Sequence, residues 1–149
     1  MAGFSAAQTL NEMPEAFVSD TSISREVSRA AKAGKLRKLA SRLYTRNMTD
    51  PPEAVIKRNL WNIVAGYFPG ALIADRTALE NAPAKDGSVC LISERGKDIR
   101  LPGLVLRPRR GTGPLPSDRP FIAGLYISAN YAIQISSKKL RPALDLLQK

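Results

Sequence analysis

An α+β chain, with an N-terminal winged helix-turn-helix followed by a small mixed α/β domain, is what three features of the sequence predict. Residues 22 to 47 read as a basic helix, a glycine stop and a short basic β-ribbon. An Asp-Pro-Pro-Glu run, Asp50 to Glu53, opens a second and more apolar helix. Past Gly70 the pattern changes to short β-like runs divided by turn residues.

The basic segment is the most distinctive. On a helix beginning near Ser22, Ile23, Val27, Ala30 and Ala31 fall at i, i+4, i+7 and i+8 and share one apolar face. Arg25, Arg29 and Lys32, at i, i+4 and i+7, share another, with Ser24 and Ser28 close by. Gly34 ends the helix in the C′ position. Beyond it Leu36, Leu39, Leu43 and Tyr44 interleave with Lys35, Arg37, Lys38, Arg42 and Arg46, which suits a two-stranded wing turning at Ala40-Ser41. Residues 21 to 49 hold eight Lys/Arg against one acid, Glu26, a net +7 of the chain's +10.

That concentration is the electrostatic footprint of nucleic-acid binding. Arg25, Arg29 and Lys32 are the residues expected to approach a major groove, and Ser24 and Ser28 add short-range contacts. Lys35, Arg37, Lys38, Arg42 and Arg46 are expected to hold phosphates from the wing. The competing reading is a solvated basic surface that contacts nothing.

Elsewhere the elements follow from local signals. The acidic stretch 1 to 20 suggests a helix from Ser5 to Met13 and a shorter one from Pro14. Asp50 suits an N-cap, Pro51 the first helical position and Glu53 a capping box. The helix then carries Ile56, Leu60, Ile63, Val64 and Tyr67 on one face to a stop at Pro69-Gly70, with Trp61 at the core edge. Thr77 to Glu80 reads as a brief helix. Ser88 to Ser93, Ile99 to Leu101, Leu104 to Arg107 and Phe121 to Ser128 read as strands, and Ser137 to Gln148 as a closing helix.

Composition narrows the function. The chain has 149 residues, 44% hydrophobic and 24% charged, with no histidine and one cysteine. It suits two small folded units and favours an acidic partner, DNA or RNA first and anionic lipid second. Missing histidine removes the commonest general base and the Ser/His and Cys/His dyads, so no catalytic residue, metal or cofactor is expected. Cys90 lies in an apolar run and reads as a buried strand thiol. The acids Asp75, Glu80, Asp86, Glu94 and Asp98 lack the spacing of a metal nuclease. The longest apolar run, Ile63 to Ala74, is broken by Gly66, Pro69 and Gly70, and no signal-like segment precedes it, so no membrane association and a cytoplasmic location are expected. A second basic cluster, Arg107, Arg109 and Arg110, opens a Gly/Pro loop that is either an ordinary exposed loop or an auxiliary nucleic-acid contact.

The run from Ser22 to Ser137 resembles the AbiE-type family of antitoxins and transcriptional regulators of type IV toxin–antitoxin systems. It is also similar to the segment that precedes the catalytic domain in some Fic-family proteins. The clearest element is a G-[KR]-L-x-[KR]-L-x-x-[KR]-L-Y motif, matched by Gly34, Lys35, Leu36, Lys38, Leu39, Arg42, Leu43 and Tyr44. The resemblance implies a winged helix over residues 1–49 that binds promoter DNA, and an antitoxin-like interaction domain over 50–149 that neutralises a cognate toxin. The histidine-containing Fic catalytic loop is missing. The alternative is a regulatory or toxin-neutralising module with no catalysis of its own.

Overall fold

Val27 and Ala30 of the basic segment are buried together with Phe17 and Leu36 in one apolar cluster, with Met13, Ile23, Ala31 and Tyr44 packed around it. The helix they lie on, α1, spans Ser24–Lys32. It is preceded by strand β1, Ala16–Val18, and followed by β2, Arg37–Ala40, and β3, Leu43–Thr45. This is a computed structural model that describes residues 12–94, 96–111 and 113–129. Among them are four helices and two sheets, an α+β chain. The helix expected at 5–13 falls almost wholly outside the described residues, and the closing helix at 137–148 entirely so.

The ends of α1 are set by short-range chemistry. Asp20 Oδ1 accepts the backbone N–H groups of Ser22 at 2.8 Å and Ile23 at 3.2 Å and the Ser22 hydroxyl at 2.5 Å, which turns the chain into the helix. Those bonds, the Ser22 side chain's foremost, lower the Asp20 pKa. At the other end Gly34 takes φ +76°, while Lys35 N–H donates to the Ala30 carbonyl and Gly34 N–H to that of Ala31. Both bonds of a Schellman stop are present, and glycine meets the left-handed conformation without strain.

The strands form an antiparallel sheet in the order β1-β3-β2, with Phe17 opposite Tyr44, their rings 6.5 Å apart. Pro14 therefore leads into a strand, and the short helix expected there is absent. The β2-β3 turn is Ser41-Arg42, one residue later than expected, because a bulge between Lys38 and Ala40 shifts the register. No second helix lies between β1 and α1. The Asp20 turn occupies that place.

Two further helices complete this unit, α2 over Pro52–Arg58 and α3 over Leu60–Tyr67. The single helix predicted here is interrupted at Asn59, whose φ is −112° and whose side-chain amide donates to the Val55 carbonyl at 2.8 Å. The N-cap position belongs to Pro51, with no side-chain capping bond. Asp50 does not cap, because its carboxylate is taken by Arg58 at 2.7 Å and Asn47 at 2.9 Å.

The chain divides into compact units between Tyr67 and Phe68, so α2 and α3 belong with the basic segment. The boundary expected at 49/50 is eighteen residues too early. The reason is side-chain linkage: Glu15, just before β1, accepts Arg58 Nε at 2.8 Å, Asn59 Nδ2 at 2.8 Å and Asn47 Nδ2 at 3.1 Å.

The second unit is built on a six-stranded mixed sheet. Its elements in chain order are β4 (Leu72–Ile73), α4 (Asp75–Glu80), β5 (Ser88–Ile92), β6 (Ile99–Leu101), β7 (Leu104–Arg109), β8 (Arg119–Pro120) and β9 (Tyr126–Ile127). The spatial order is β6-β7-β5-β4-β9-β8, with β5 parallel to β7 and β4 parallel to β9. Val89, Leu91, Leu72, Ile73 and Leu106 are fully buried in it. Cys90 does lie on a strand but is only half-buried. The long strand expected at 121–128 is broken by a 3-10 turn over Ile122–Gly124, where Ala123 and Gly124 take φ of 59° and 79°. That reversal lets β8 and β9 pair antiparallel.

Two predictions follow from the first unit. A Cβ added at Gly66 of α3 lies 2.7 Å from Val18 Cγ2 and 2.8 Å from Val18 Cβ, atoms near the backbone that cannot swing away. Gly66→Ala is therefore expected to destabilise by about 1–3 kcal/mol despite alanine's better helix propensity, read as a lower denaturation midpoint. Hydrogen bonds to Glu15, from Arg58 first and then Asn59 and Asn47, depress its pKa from 4.5 to about 2. The stability this gives is complete above pH 4.5 and disappears as the pH falls toward 2. Glu15→Gln is expected to be less stable near neutrality and to show a flatter pH dependence across that window by circular dichroism.

Candidate nucleic-acid interface

Burying Val27 and Ala30 turns the other side of α1 to water. Ser24, Arg25, Ser28, Arg29 and Lys32 are all exposed, as are Lys35 after the helix and Lys38 on the ribbon. None of Arg25, Arg29, Lys32, Lys35 and Lys38 has an ion pair among the described residues. Glu26, the acid within the segment, is half-buried in the first turn of α1, where it suits the helix dipole. The sequence periodicity thus divides the helix into a packed face and a cationic face. Charges of one sign left in water create a potential reaching about a Debye length, roughly 8–10 Å at moderate salt.

The ribbon departs from expectation at two residues. Arg37 is half-buried and donates from Nη2 to the Asp50 carbonyl oxygen at 2.6 Å, with its Nε buried. It ties the ribbon to the loop before α2 instead of facing solvent. Arg46 is also half-buried, past the end of β3, and makes an interaction of its own. Both lie where β2 and β3 approach the loop carrying Asn47 and Asp50, and a linear alternation of cations does not reveal that loop.

Arg42 is exposed but fixed. It sits in the ribbon turn with φ 63°, its guanidinium carbon lies 5.4 Å from the centre of the Tyr67 ring, and its carbonyl accepts Ser19 N–H at 2.7 Å. The Tyr67 hydroxyl donates to the neighbouring Ser41 carbonyl. Burial pushes the Tyr67 pKa up to about 12, so the phenol remains a donor at all moderate pH. Read from sequence, Tyr67 is a core residue at the end of a helix. Its hydrogen bond to the turn has no local signature.

The second basic cluster is largely spent inside its own unit. Arg107 donates to Ser88 Oγ at 2.9 Å and to Asp98 Oδ2 at 2.8 Å. Arg109 forms a two-bond fork with Asp75, each bond 2.9 Å, with side chains only 20% and 12% exposed. Arg110 alone of the three has no ion pair among the described residues, at one wall of a 330 Å³ cleft that also includes Ser93 and Glu94. Arg109 is thus committed to a nearly buried pair, whereas Arg107 shares a partly exposed guanidinium with Ser88 and Asp98.

The acids are likewise dispersed into local partnerships: Glu80 with Arg76, Asp86 with the Ser88 N–H, and Asp75 and Asp98 with the two arginines. No three His, Cys, Asp or Glu side chains among the described residues come together as metal ligands. No helix among them is long and apolar enough to cross a membrane. No family model, curated protein or solved structure matches the chain.

Arg109 and Arg110 are separable by experiment. Arg109→Ala leaves a nearly buried carboxylate without its partner and is expected to destabilise by about 2–3 kcal/mol in a denaturant titration. Arg110→Ala is expected to stay within about 0.5 kcal/mol of the parent.

Proposed function

We propose that the chain is a sequence-selective double-stranded DNA-binding transcriptional regulator, whose first unit meets the duplex as a winged helix does. The observation that carries this reading is the set of exposed cations without ion pairs: Arg25, Arg29 and Lys32 along α1, then Lys35 and Lys38 toward the ribbon. A helix about 10 Å across fits the major groove. Arg29, central on the stripe, is the residue to read a guanine edge, because its planar fork pairs with two acceptors at once. Ser24, Arg25, Ser28 and Lys32 flank it, while Lys35 and Lys38 meet phosphate. A merely solvated surface would not require seven net charges within one helix and ribbon.

The resemblance to AbiE-type antitoxins supplies a biological setting for the proposal. The chain would repress its own promoter and, through its second unit, neutralise a toxin encoded beside it. Co-expression with the neighbouring gene product and purification through this chain tests that part. A partner that still binds when residues 68–149 are deleted would overturn the assignment to the second unit.

Duplex binding is tested by anisotropy with the chain's own upstream region and a scrambled duplex across a salt series. Affinity is expected to fall steeply, with a logarithmic slope of roughly −3.6 if about four cations meet phosphate. Arg29→Ala is expected to lose about 1–3 kcal/mol on the upstream duplex and much less on the scrambled one. Lys38→Ala is expected to weaken both alike and reduce the slope by about one. Equal, weak binding of the parent chain to both duplexes would overturn sequence selectivity.

A further inference from the structure

The ribbon turn contains a choice of residue that local chemistry disfavours. At Arg42 the backbone adopts φ 63°, in the left-handed region where glycine and asparagine are cheapest. A long, charged, unbranched side chain gains nothing from that conformation, so its presence points to the side chain. The surroundings then fix it on three sides. Ser19 N–H holds the Arg42 carbonyl, the Tyr67 hydroxyl holds the Ser41 carbonyl, and the guanidinium lies over the Tyr67 ring at 5.4 Å. Tyr67 itself is 9% exposed, anchored in α3 beside the fully buried Ile63 and Val64. The ribbon tip is thus held to a helix at its base.

We infer that Tyr67 is a positioning residue that presets the ribbon tip, and that Arg42, whose guanidinium lies over its ring, is a phosphate-contacting cation. This rests on the duplex-binding reading above. A guanidinium held over an aromatic face leaves its planar fork of N–H donors open to water, where a phosphate can take two of them. A side chain on a fixed backbone and drawn to one ring face has less rotamer freedom to lose on binding than a freely rotating lysine, so its contact is worth more. Lys38, on β2 opposite Tyr44, has no such support, and the two cations differ in how they are held.

The test uses the full chain with a fluorescent duplex of random sequence across a salt series, together with thermal midpoints. Arg42→Gly relieves the left-handed turn, so its midpoint is expected to equal or exceed the parent's, while its affinity at low salt drops about 3- to 10-fold and its salt slope falls by about one. Arg42→Asn, which also tolerates the turn but is stiffer than glycine, is expected to reproduce the loss of affinity and of slope, which separates loss of the cation from loosening of the ribbon. Tyr67→Phe keeps the ring and every charge but removes the bond to Ser41. It is expected to lose about 2- to 5-fold in affinity with the slope unchanged, a pattern that charge loss cannot give. Parent-like affinity and slope in both Arg42 variants would overturn the phosphate contact, and parent-like binding by Tyr67→Phe would overturn the positioning role. A parent chain that fails to bind any duplex at low salt would remove the duplex-binding reading itself, an outcome distinct from either.

Discussion

The shallow apolar contact under α1 is the constraint on which the rest of the first unit depends. Val27 and Ala30 present little side-chain bulk, so the helix seats closely on Phe17 and Leu36. Burial of these few aliphatic groups, at about 25 cal/mol per Å² of apolar surface, is what keeps a segment rich in cations folded against its own repulsion. The small contact also dictates orientation. Only one stripe of α1 has anything to bury, so rotating the helix by even a quarter turn exposes Val27 and forces Arg25 or Arg29 toward an apolar sheet, where an unpaired charge costs several kcal/mol.

Polar linkage does the complementary work. Glu15 and Asp50 share Arg58 and Asn47, and these bonds hold the Arg58 guanidinium above its ordinary pKa, Glu15 foremost. The result joins the start of β1, the loop after β3 and the α2/α3 break through side chains far apart in sequence. Individually such half-exposed pairs contribute little, but a network with several fixed donors per carboxylate restricts geometry more than a lone pair does. Arg37 is drawn into the same region by the Asp50 carbonyl, which removes one cation from the solvent face and leaves the cationic surface to α1, Lys35, Lys38 and Arg42.

The second unit uses arginine differently. Arg107 and Arg109 alternate along β7 and each reaches an acid on another element, Asp98 and Asp75. Asp75 is bidentate to Arg109 from a left-handed backbone at the start of α4, so a helix start, a strand end and a nearly buried charge pair are fixed together. Two basic clusters of similar appearance in the sequence thus have opposite fates. The exposed cations of one make no ion pair among the described residues and stay in water, and the other has acids delivered to it by the fold.

Local pattern was enough for several features, each for a local reason. The faces of α1 follow from a period of 3.6, the Gly34 stop from left-handed backbone, the ribbon from alternation, and the strands at Ile99 and Leu104 from turn residues on either side. The two-unit character and the α+β class came from the same signals. Tertiary structure decided what depends on partners distant in the chain. It made Pro14 the approach to a strand, because the edge of β3 offered hydrogen bonds that a short isolated helix lacked. It broke one helix at Asn59, moved the unit boundary past Tyr67, and diverted Arg37, Arg107 and Arg109 to carbonyl or carboxylate oxygens 13, 9 and 34 residues away. Periodicity reports which face a residue lies on, whereas the fate of a charge is set by the nearest opposite charge in space, and only the folded chain brings that neighbour into place.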